Sequence, residues 1–576
     1  MPDNAHVTWR FLLRRALPRD SLKGLKFALF GLGDSGYDKY NAAARKLRIR
    51  LLQLGASEVV ERGFGDDQSA KGAWGDLDPW AALLWKCLEE LHPWPPGYTP
   101  DDTPIKTLPL YTCREGDEVQ GRSKTTTEDC EFYKRLRPLD AYNKGPLPFK
   151  ATLRENKRLT ASGHTQDVRH IVLDIKDIEG KGGVKAGDVA VVHPMNTAAS
   201  AKELADLLGV DLDAMIKSLW RHLQLCIALR YLGSWVGAHV LPLISTALGL
   251  KVAVELSERG RQQQAPLDLP HHTAVRDLFM SYLDIQGRPS RMFFERLSVH
   301  ATNEEEREKL LELSSQEGAD LLQEYAVREK RSYVEVLREF PSCRPTLAYI
   351  LELVPRLRPR HFSLASSPTA HADEAHLCVA VVAFLTPYKR RRFGVCSSWL
   401  AGLQPGASVR IWIKPGTLAV PKDVNHPIIM IGPGTGVAPM RSIATERSCL
   451  RAGQSTNQQP RDMFFFGCRY RLKDFLYQDE WETIKGLELH TAFSRDQATK
   501  VYVQHRIKEE GARVSSLVLE HQAYVLVSGS AKHMPSDVRS AIKEVLHEHG
   551  RLDLEACEKL LRDLELKKRY CVEAWS

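Results

Sequence analysis

The sequence predicts a multidomain chain of α/β and β parts: strand-and-helix segments at both ends, and between them an antiparallel β-barrel interrupted by helices. Three observations predict it. Residues 1–96 alternate helix-like and strand-like text. From 148 to 418, strand-like runs separated by turns lie on either side of a helical block at about 200–340. From 419 to 576, apolar strands alternate with helices around the glycine-rich run Pro427 to Met440, PIIMIGPGTGVAPM, which is the grammar of a doubly wound, Rossmann-like domain. At 576 residues the chain is also too long for a single core.

At the front, WRFLLRRAL reads as a helix and LKFALF as one buried strand. GLGDSGYDKYN follows as a glycine-rich loop, AARKLRIRLLQLG as a helix ended by Gly55, and SEVVERGFGDD as a strand running into a second loop. Both loops stand at carboxyl ends of strands, where α/β sheets hold ligands. The proline-dense text from Trp94 marks residues 97–147 as a linker. FKATLRENKRLT, DVRHIVLDI and AGDVAVVHPMN then read as strands, and ADLLGVDLDAMIKSL as the opening helix of the inserted block. In NEEEREKLLELSSQEG, Asn303 is placed to cap the first turn and Glu306 to reach back to the cap. HFSLASS, HLCVAVVAF and SVRIWIKPG resume the β domain, and IIMIG, DMFFFGC, ELHTAF and YVLVSG supply strands of the last one.

Composition excludes several function classes. The net charge of +8 is small for this length and spread along the chain, so no nucleic-acid partner is expected. The eleven cysteines include no CxxC pair, which argues against a zinc site or a disulfide framework and fits a reducing cytoplasm. Met1 is followed by PDNAHVTWRF, which lacks the layout of a secretory signal. Tyr231 to Leu250 carries no Asp, Glu, Lys or Arg, but His239, Pro242 and three glycines argue against a membrane span.

The chemistry-bearing motifs lie in the second half. Arg360-His361-Phe362-Ser363 offers a cation, an aromatic ring and a hydroxyl within four residues, and Gly394-Val395-Cys396-Ser397 offers a close-approach turn. A flavin dinucleotide needs such groups for its pyrophosphate, its ring and its reactive nitrogen. Ser494-Arg495 with Lys500, Tyr502 and Gln504 offers the hydroxyl, cations and stacking ring that an adenosine 2′-phosphate calls for, so NADPH is expected over NADH.

Taken together, RxFS, GxCSSWL, GPGTGVAPMR, FFGCR, AFSRDQxxKVYVQH, SGSAKHMPxDV and the terminal Trp575-Ser576 resemble the diflavin reductases, the family of NADPH–cytochrome reductase, in order and spacing. GLGDSGYDKYN, FPSC, CSSWL and VEAWS are similar to the branch of that family that serves cytosolic iron–sulfur assembly. The resemblance implies a truncated flavodoxin-like domain (1–96), an antiparallel FAD-binding β-barrel with inserted helical subdomain (148–418), and a Rossmann-like NADP-binding domain of the ferredoxin reductase type (419–576). It implies FAD, NADPH and FMN as cofactors and anamorsin as the electron acceptor.

By the same resemblance, Arg360, His361, Phe362, Ser363, Gly394, Val395, Cys396 and Ser397 would hold FAD, with Lys330 or Arg331 adding a phosphate contact. Thr435, Ser494, Arg495, Lys500, Val501, Tyr502, Val503, Gln504 and Asp537 would hold NADPH. Ser363, Glu573 and Trp575 would stand nearest hydride transfer, Trp575 stacking on the flavin ring. Many relatives have cysteine at the place of Ser528 and aspartate at the place of Glu573. Leu32, Gly33, Asp34, Ser35, Gly36, Tyr37, Asp38, Lys39, Tyr40, Asn41 and Asp67 match the later FMN loops. The first Ser/Thr-rich phosphate loop of the family has no counterpart here, so weak or absent FMN binding is expected. Trp220 to Val254 matches no family element and reads as an insertion. Two other readings stay open: an FAD-only NADPH dehydrogenase acting on small acceptors, and a non-catalytic module that docks a partner.

Overall fold

The computed structural model describes residues 6–35, 40–67, 69, 73–95, 97, 109, 111–115, 149–177, 183–220, 272–452 and 462–575. The uncharged run Tyr231–Leu250, nearly all of the proposed insertion and most of the linker lie outside these residues. Among the described residues no helix is long and apolar enough to cross a membrane. The chain divides into two compact units, one of Met1–Arg135 with Ala198–Arg356, the other of Leu136–Thr197 with Leu357–Ser576.

In the first unit, LKFALF is two short strands rather than the single one expected. Lys26–Phe27 pairs in parallel with Ser57–Glu58, and Phe30–Gly33 in parallel with Gly63–Asp66. The partner stretch carries four residues between its strands where LKFALF carries two, so the ladder bulges and splits. Helix Ala42–Gln53 ends as expected before Gly55, whose φ of 90° only glycine adopts without strain. The helix Trp74–Leu91 is an addition to the sequence reading, and Pro79 stands inside it.

The helical block differs from expectation at its start. The helix is Ala198–Leu208, stopped by Gly209 at φ 65°. The Asp213 N–H then donates to Asp211 Oδ1 at 3.0 Å. Met215–Trp220, expected as helix, is a strand between Tyr111–Glu115 and His272–Ala274. The Asn303 cap is as expected, its Oδ1 accepting from the Glu306 N–H at 3.0 Å. Glu306 itself turns elsewhere: its carboxylate accepts from Ser342 N–H at 3.0 Å and Ser342 Oγ at 2.7 Å. The reciprocal capping box forms instead at Ser332 and Glu335.

The second unit holds the barrel and the last domain. Barrel strands β1 (Phe149–Arg158), β2 (Val168–Asp174), β3 (Val189–His193), β4 (Arg360–Ser363), β5 (Glu374–Ala380) and β6 (Ser408–Lys414) lie in the order β4-β3-β6-β1-β2-β5. Every neighbouring pair is antiparallel. Leu364, just past β4, bridges Leu377 of β5, and the Ala365 N–H donates to the His376 carbonyl at 2.8 Å, which joins the two edges. The inward residues Ala151, Leu153, Ile171, Leu173, Val192, Leu377 and Ile411 form one core.

The last domain is a five-stranded parallel sheet: β7 (Ile428–Ile431), β8 (Asp462–Cys468), β9 (Leu487–Phe493), β10 (Tyr524–Ser530) and β11 (Tyr570–Trp575), ordered β9-β8-β7-β10-β11. The edge strand β11 is not anticipated by the sequence reading. Alternate side chains of the central strands enter two separate cores: Ile429, Ile431, Phe465 and Val527 on one face, Ile428, Met430, Phe464 and Leu526 on the other. Helices cover both faces, the condition under which parallel strands are stable.

Candidate functional site

A cavity of about 680 Å³ opens at the carboxyl ends of β7 to β10, the position that the sheet topology selects for ligands. The turn that opens it is fixed by its glycines. A Cβ on Gly436 would come within 2.1 Å of the Ser528 carbonyl oxygen, and Gly434 sits at φ 58°. Thr435 lies in this short helical turn, directly ahead of the helix Val437–Ala452. A helix start of this kind favours an anionic ligand.

Of the residues expected to hold NADPH, Thr435, Ser494, Val501, Tyr502, Val503, Gln504 and Asp537 all line this one cavity, and so does Trp575. Tyr502 precedes the helix Val503–Glu509, and Gln504 Nε2 lies 3.4 Å from Asp537 Oδ2, which ties two walls together. Arg495 and Lys500 are exposed in the loop between Ser494 and Val501, and neither side chain has a hydrogen bond or ion pair among the described residues. Two unpaired cations beside a hydroxyl and an accessible phenol ring suit a phosphomonoester on a ribose.

Sequence reasoning names FFGCR and SGSAKHMP as motifs but assigns no site role within them. Cys468, Arg469, Gly529, Ser530, His533 and Met534 line the cavity too. Burial first, and then Asp474, push the Cys468 thiol well above its ordinary value, so it is a neutral wall rather than a nucleophile. His164, Gln166 and Asp474 also line it and carry no sequence signal that marks them.

The three residues expected nearest the chemistry are brought together. Ser363 Oγ, at the end of β4, donates to Glu573 Oε1 in β11, and Thr417 Oγ1 donates to Glu573 Oε2 at 2.9 Å. Both carboxylate oxygens are therefore held. Trp575 is two residues along the same strand and 39% exposed, with its carbonyl accepting from the Ala531 N–H at 2.8 Å. Ser528, opposite Glu573 in the parallel register, is fully buried, and its hydroxyl has no partner.

The flavin motifs also converge. Gly394 leads into the helix Val395–Gly402, so the close-approach turn expected at GVCS is also a helix start. A Cβ on Gly394 would meet Ser397 Oγ at 2.7 Å and Val382 Cβ at 2.8 Å. Ser397 Oγ accepts from the Val382 N–H at 3.0 Å. Cys396 is buried in the barrel core against which Phe362 packs, so RHFS and GVCS meet there, and that burial pushes the Cys396 thiol up to about 12. His361 is exposed, whereas Arg360, Phe362 and Ser363 are half-buried. A cation next to a helix start fits a pyrophosphate. Lys330 and Arg331 belong to the first unit. Arg331 is spent there: its Nε donates to the Tyr325 carbonyl at 2.9 Å, its guanidinium stacks on the Tyr325 ring and it pairs with Glu339. Lys330 has no partner among the described residues and sits at φ 48°.

In the front segment, Gly36, Tyr37, Asp38 and Lys39 lie outside the described residues. Leu32, Gly33, Asp34 and Ser35 stand at a strand end. The Ser35 N–H donates to Asp66 Oδ1 at 2.8 Å and the Asp67 N–H to the Gly33 carbonyl at 2.9 Å, so the two loops are joined. Tyr40 OH is 3.4 Å from the Phe64 carbonyl. Asn41 is buried and wedged against Gly31 and Gly33, where any Cβ would strike it within 2.7 Å, and this gives Asn41 a packing role. Leu32 is open to solvent.

Three family models match the chain: a flavodoxin domain over residues 1–80, an FAD binding domain over 144–399 and an oxidoreductase NAD-binding domain over 430–540. The chain is 37% identical over 585 residues to the NADPH-dependent diflavin oxidoreductase 1 of Danio rerio, over 586 residues to that of Mus musculus and over 599 residues to that of Arabidopsis thaliana. Each alignment covers 100% of this chain and 89% of the relative.

Proposed function

The chain belongs to the family of NADPH-dependent diflavin oxidoreductases, with FAD, FMN and NADPH as that family's cofactors, and on this premise we propose that it delivers electrons to the iron–sulfur assembly protein anamorsin in the cytoplasm. One observation carries the reading: Ser363 and Glu573 meet beside Trp575 at the edge of a cavity whose other end offers Ser494, Tyr502 and two unpaired cations. When bound, the flavins accept two electrons as hydride from NADPH and release them singly. This chain's residues do the rest. Arg495 and Lys500 take the 2′-phosphate, Tyr502 stacks on adenine, and Thr435 with its glycine turn admits the middle of the dinucleotide. Trp575, on the cavity lining, would cover the flavin face and would have to move aside for hydride transfer. Ser363, held by Glu573, keeps a hydroxyl at the reacting edge.

The acceptor assignment is supported by the likeness of GLGDSGYDKYN, FPSC, CSSWL and VEAWS to the iron–sulfur branch. The cytoplasmic assignment is supported by nine free cysteines among the described residues. Two measurements test the proposal. Arg495→Ala raises KM for NADPH about tenfold or more and leaves NADH use within twofold; equal effects on both would sink the 2′-phosphate assignment. Anaerobic mixing with NADPH and anamorsin gives reduced iron–sulfur clusters, and dye reduction without cluster reduction leaves the FAD-only reading in its place.

A further inference from the structure

One loop of the flavin barrel reaches the dinucleotide cavity. Between β1 and β2, His164 and Gln166 line the same space as Ser494, Tyr502 and Asp537. The His164 side chain is only 3% exposed, and its Nε2 has no hydrogen-bond partner. The nearest acid, Asp474 Oδ2, is 3.6 Å away, beyond hydrogen-bond reach. A buried polar atom left unpaired in this way is costly and calls for a missing partner.

Neither neighbour is free to close the gap. The Ala161 N–H donates to the Lys473 carbonyl, the His164 N–H to the Ala161 carbonyl, and Arg158 Nη2 to the His164 carbonyl, each at 2.9 Å, so the loop is pinned on both sides of the imidazole. Asp474 is pinned as firmly, its Oδ2 accepting from the Arg469 N–H at 3.0 Å and its Oδ1 from the Tyr470 N–H at 2.6 Å. That turn follows β8, which lies between β9, leading to Ser494, and β7, leading to Thr435. A dinucleotide stretched from Ser494 to Thr435 carries its diphosphate past this point.

We propose that His164 donates a hydrogen bond from Nε2 to a diphosphate oxygen of NADPH, making it a substrate-binding residue that the flavin barrel contributes to the NADPH cavity. The imidazole stands between the Asp474 carboxylate and the incoming anion, so the two negative groups do not face each other unscreened. The inference rests on the reading of this cavity as the NADPH site.

The test is equilibrium binding, measured by calorimetry on the flavin-loaded full chain, of NADP⁺ and of 2′-AMP, which has the adenosine phosphate but no diphosphate. His164→Ala weakens NADP⁺ binding tenfold to about a hundredfold, the range of a lost hydrogen bond to a charged oxygen, and leaves 2′-AMP within twofold. His164→Gln, which keeps a donor, recovers part of the loss. Arg495→Ala serves as the control and weakens both ligands. If Arg495→Ala weakens both while the two His164 variants bind NADP⁺ within twofold of the parent, this inference fails alone. It fails equally if His164→Ala weakens 2′-AMP as much as NADP⁺, which marks a merely structural pin. If Arg495→Ala changes neither ligand, the cavity reading fails and this inference with it.

Discussion

The front segment and the last domain are both βαβ text, but they bury their strands to very different degrees. In the last domain, Ile428–Ile431 and Phe464–Phe466 are wholly inaccessible. In the front segment, Leu32 is 75% exposed on its strand and helix Ala42–Gln53 buries no residue fully. The difference lies in the number of neighbours. Five parallel strands with helices on both faces give each central side chain a core to enter, whereas each two-stranded parallel pair of the front segment has, among the described residues, an edge without a neighbour on either side. Motif strength and fold strength therefore separate in this molecule: GLGDSGYDKYN is as specific a signature as GPGTGVAPM, yet only the second is carried by a filled core.

The largest expected effect comes from the ion pairs of the two regions. Asp462, 2% exposed, accepts from Arg447 Nε at 2.9 Å, Arg451 Nη1 at 2.7 Å and the Ile428 N–H at 2.9 Å. Asp462→Ala leaves two guanidinium groups buried without their anion and costs about 3–5 kcal/mol, read from urea unfolding of the last domain. Arg48 pairs with Glu58 in the front segment just as closely, Nε to Oε1 at 2.8 Å, but water reaches the pair. Arg48→Ala shifts the unfolding midpoint only marginally. Comparable losses in the two variants would break the contrast.

The same contrast explains what was legible in the sequence. The last domain's strands were readable because burial on both faces demands continuous apolar runs such as IIMI and MFFF. Barrel strand β1 was readable because its one buried face imposes alternation, and β2, β3 and β5, buried along most of their length, were readable as apolar runs. Strand β11 was missed because YCVEAW is an edge with Glu573 pointing at Ser363, so function rather than packing writes its pattern. LKFALF was misread as one strand because the bulge that splits it resides in its partner, thirty residues away. The residues proposed to hold NADPH were legible because most of them cluster in one loop and one helix start. His164 was not, because its relation to Asp474 exists only once β1, β2 and β8 are assembled.

A second prediction sharpens the contrast through pH. In the second unit, His170 and His376 pack edge to face at 4.9 Å, with His371 4.4 Å from His376. Burial, then the neighbouring positive groups, lower His170 to about 3, and burial lowers His376 to about 4 against the Glu374 hydrogen bond, which raises it. The facing groups are Tyr477, 3.0 Å from His170 Nδ1; Glu374, 2.8 Å from His376 Nε2; Arg441, 3.3 Å from His376 Nδ1; and Lys157. Because both folded values lie below the ordinary imidazole value, the unfolded chain binds more protons between them. Stability is then complete above about pH 6.5 and falls by a few kcal/mol as the pH drops toward 4 and 3. Chemical unfolding between pH 7 and pH 4 should show that slope, and His170→Phe should flatten it. A slope unchanged in the variant would move the cause elsewhere.

The smallest effect tests whether the open face of the front segment is truly open. Leu83 and Trp85, 57% and 64% exposed, stand on the helix Trp74–Leu91. Replacing a large apolar side chain with serine at such exposure removes few contacts, so Leu83→Ser and Trp85→Ser should each change stability by no more than about 0.5 kcal/mol. Phe465→Ala, by contrast, empties a fully buried site in one core of the last domain and should cost about 3–5 kcal/mol. If Trp85→Ser approached the cost of Phe465→Ala, the indole would have to be covered in solution, and the difference between the two regions would be one of partner rather than of packing.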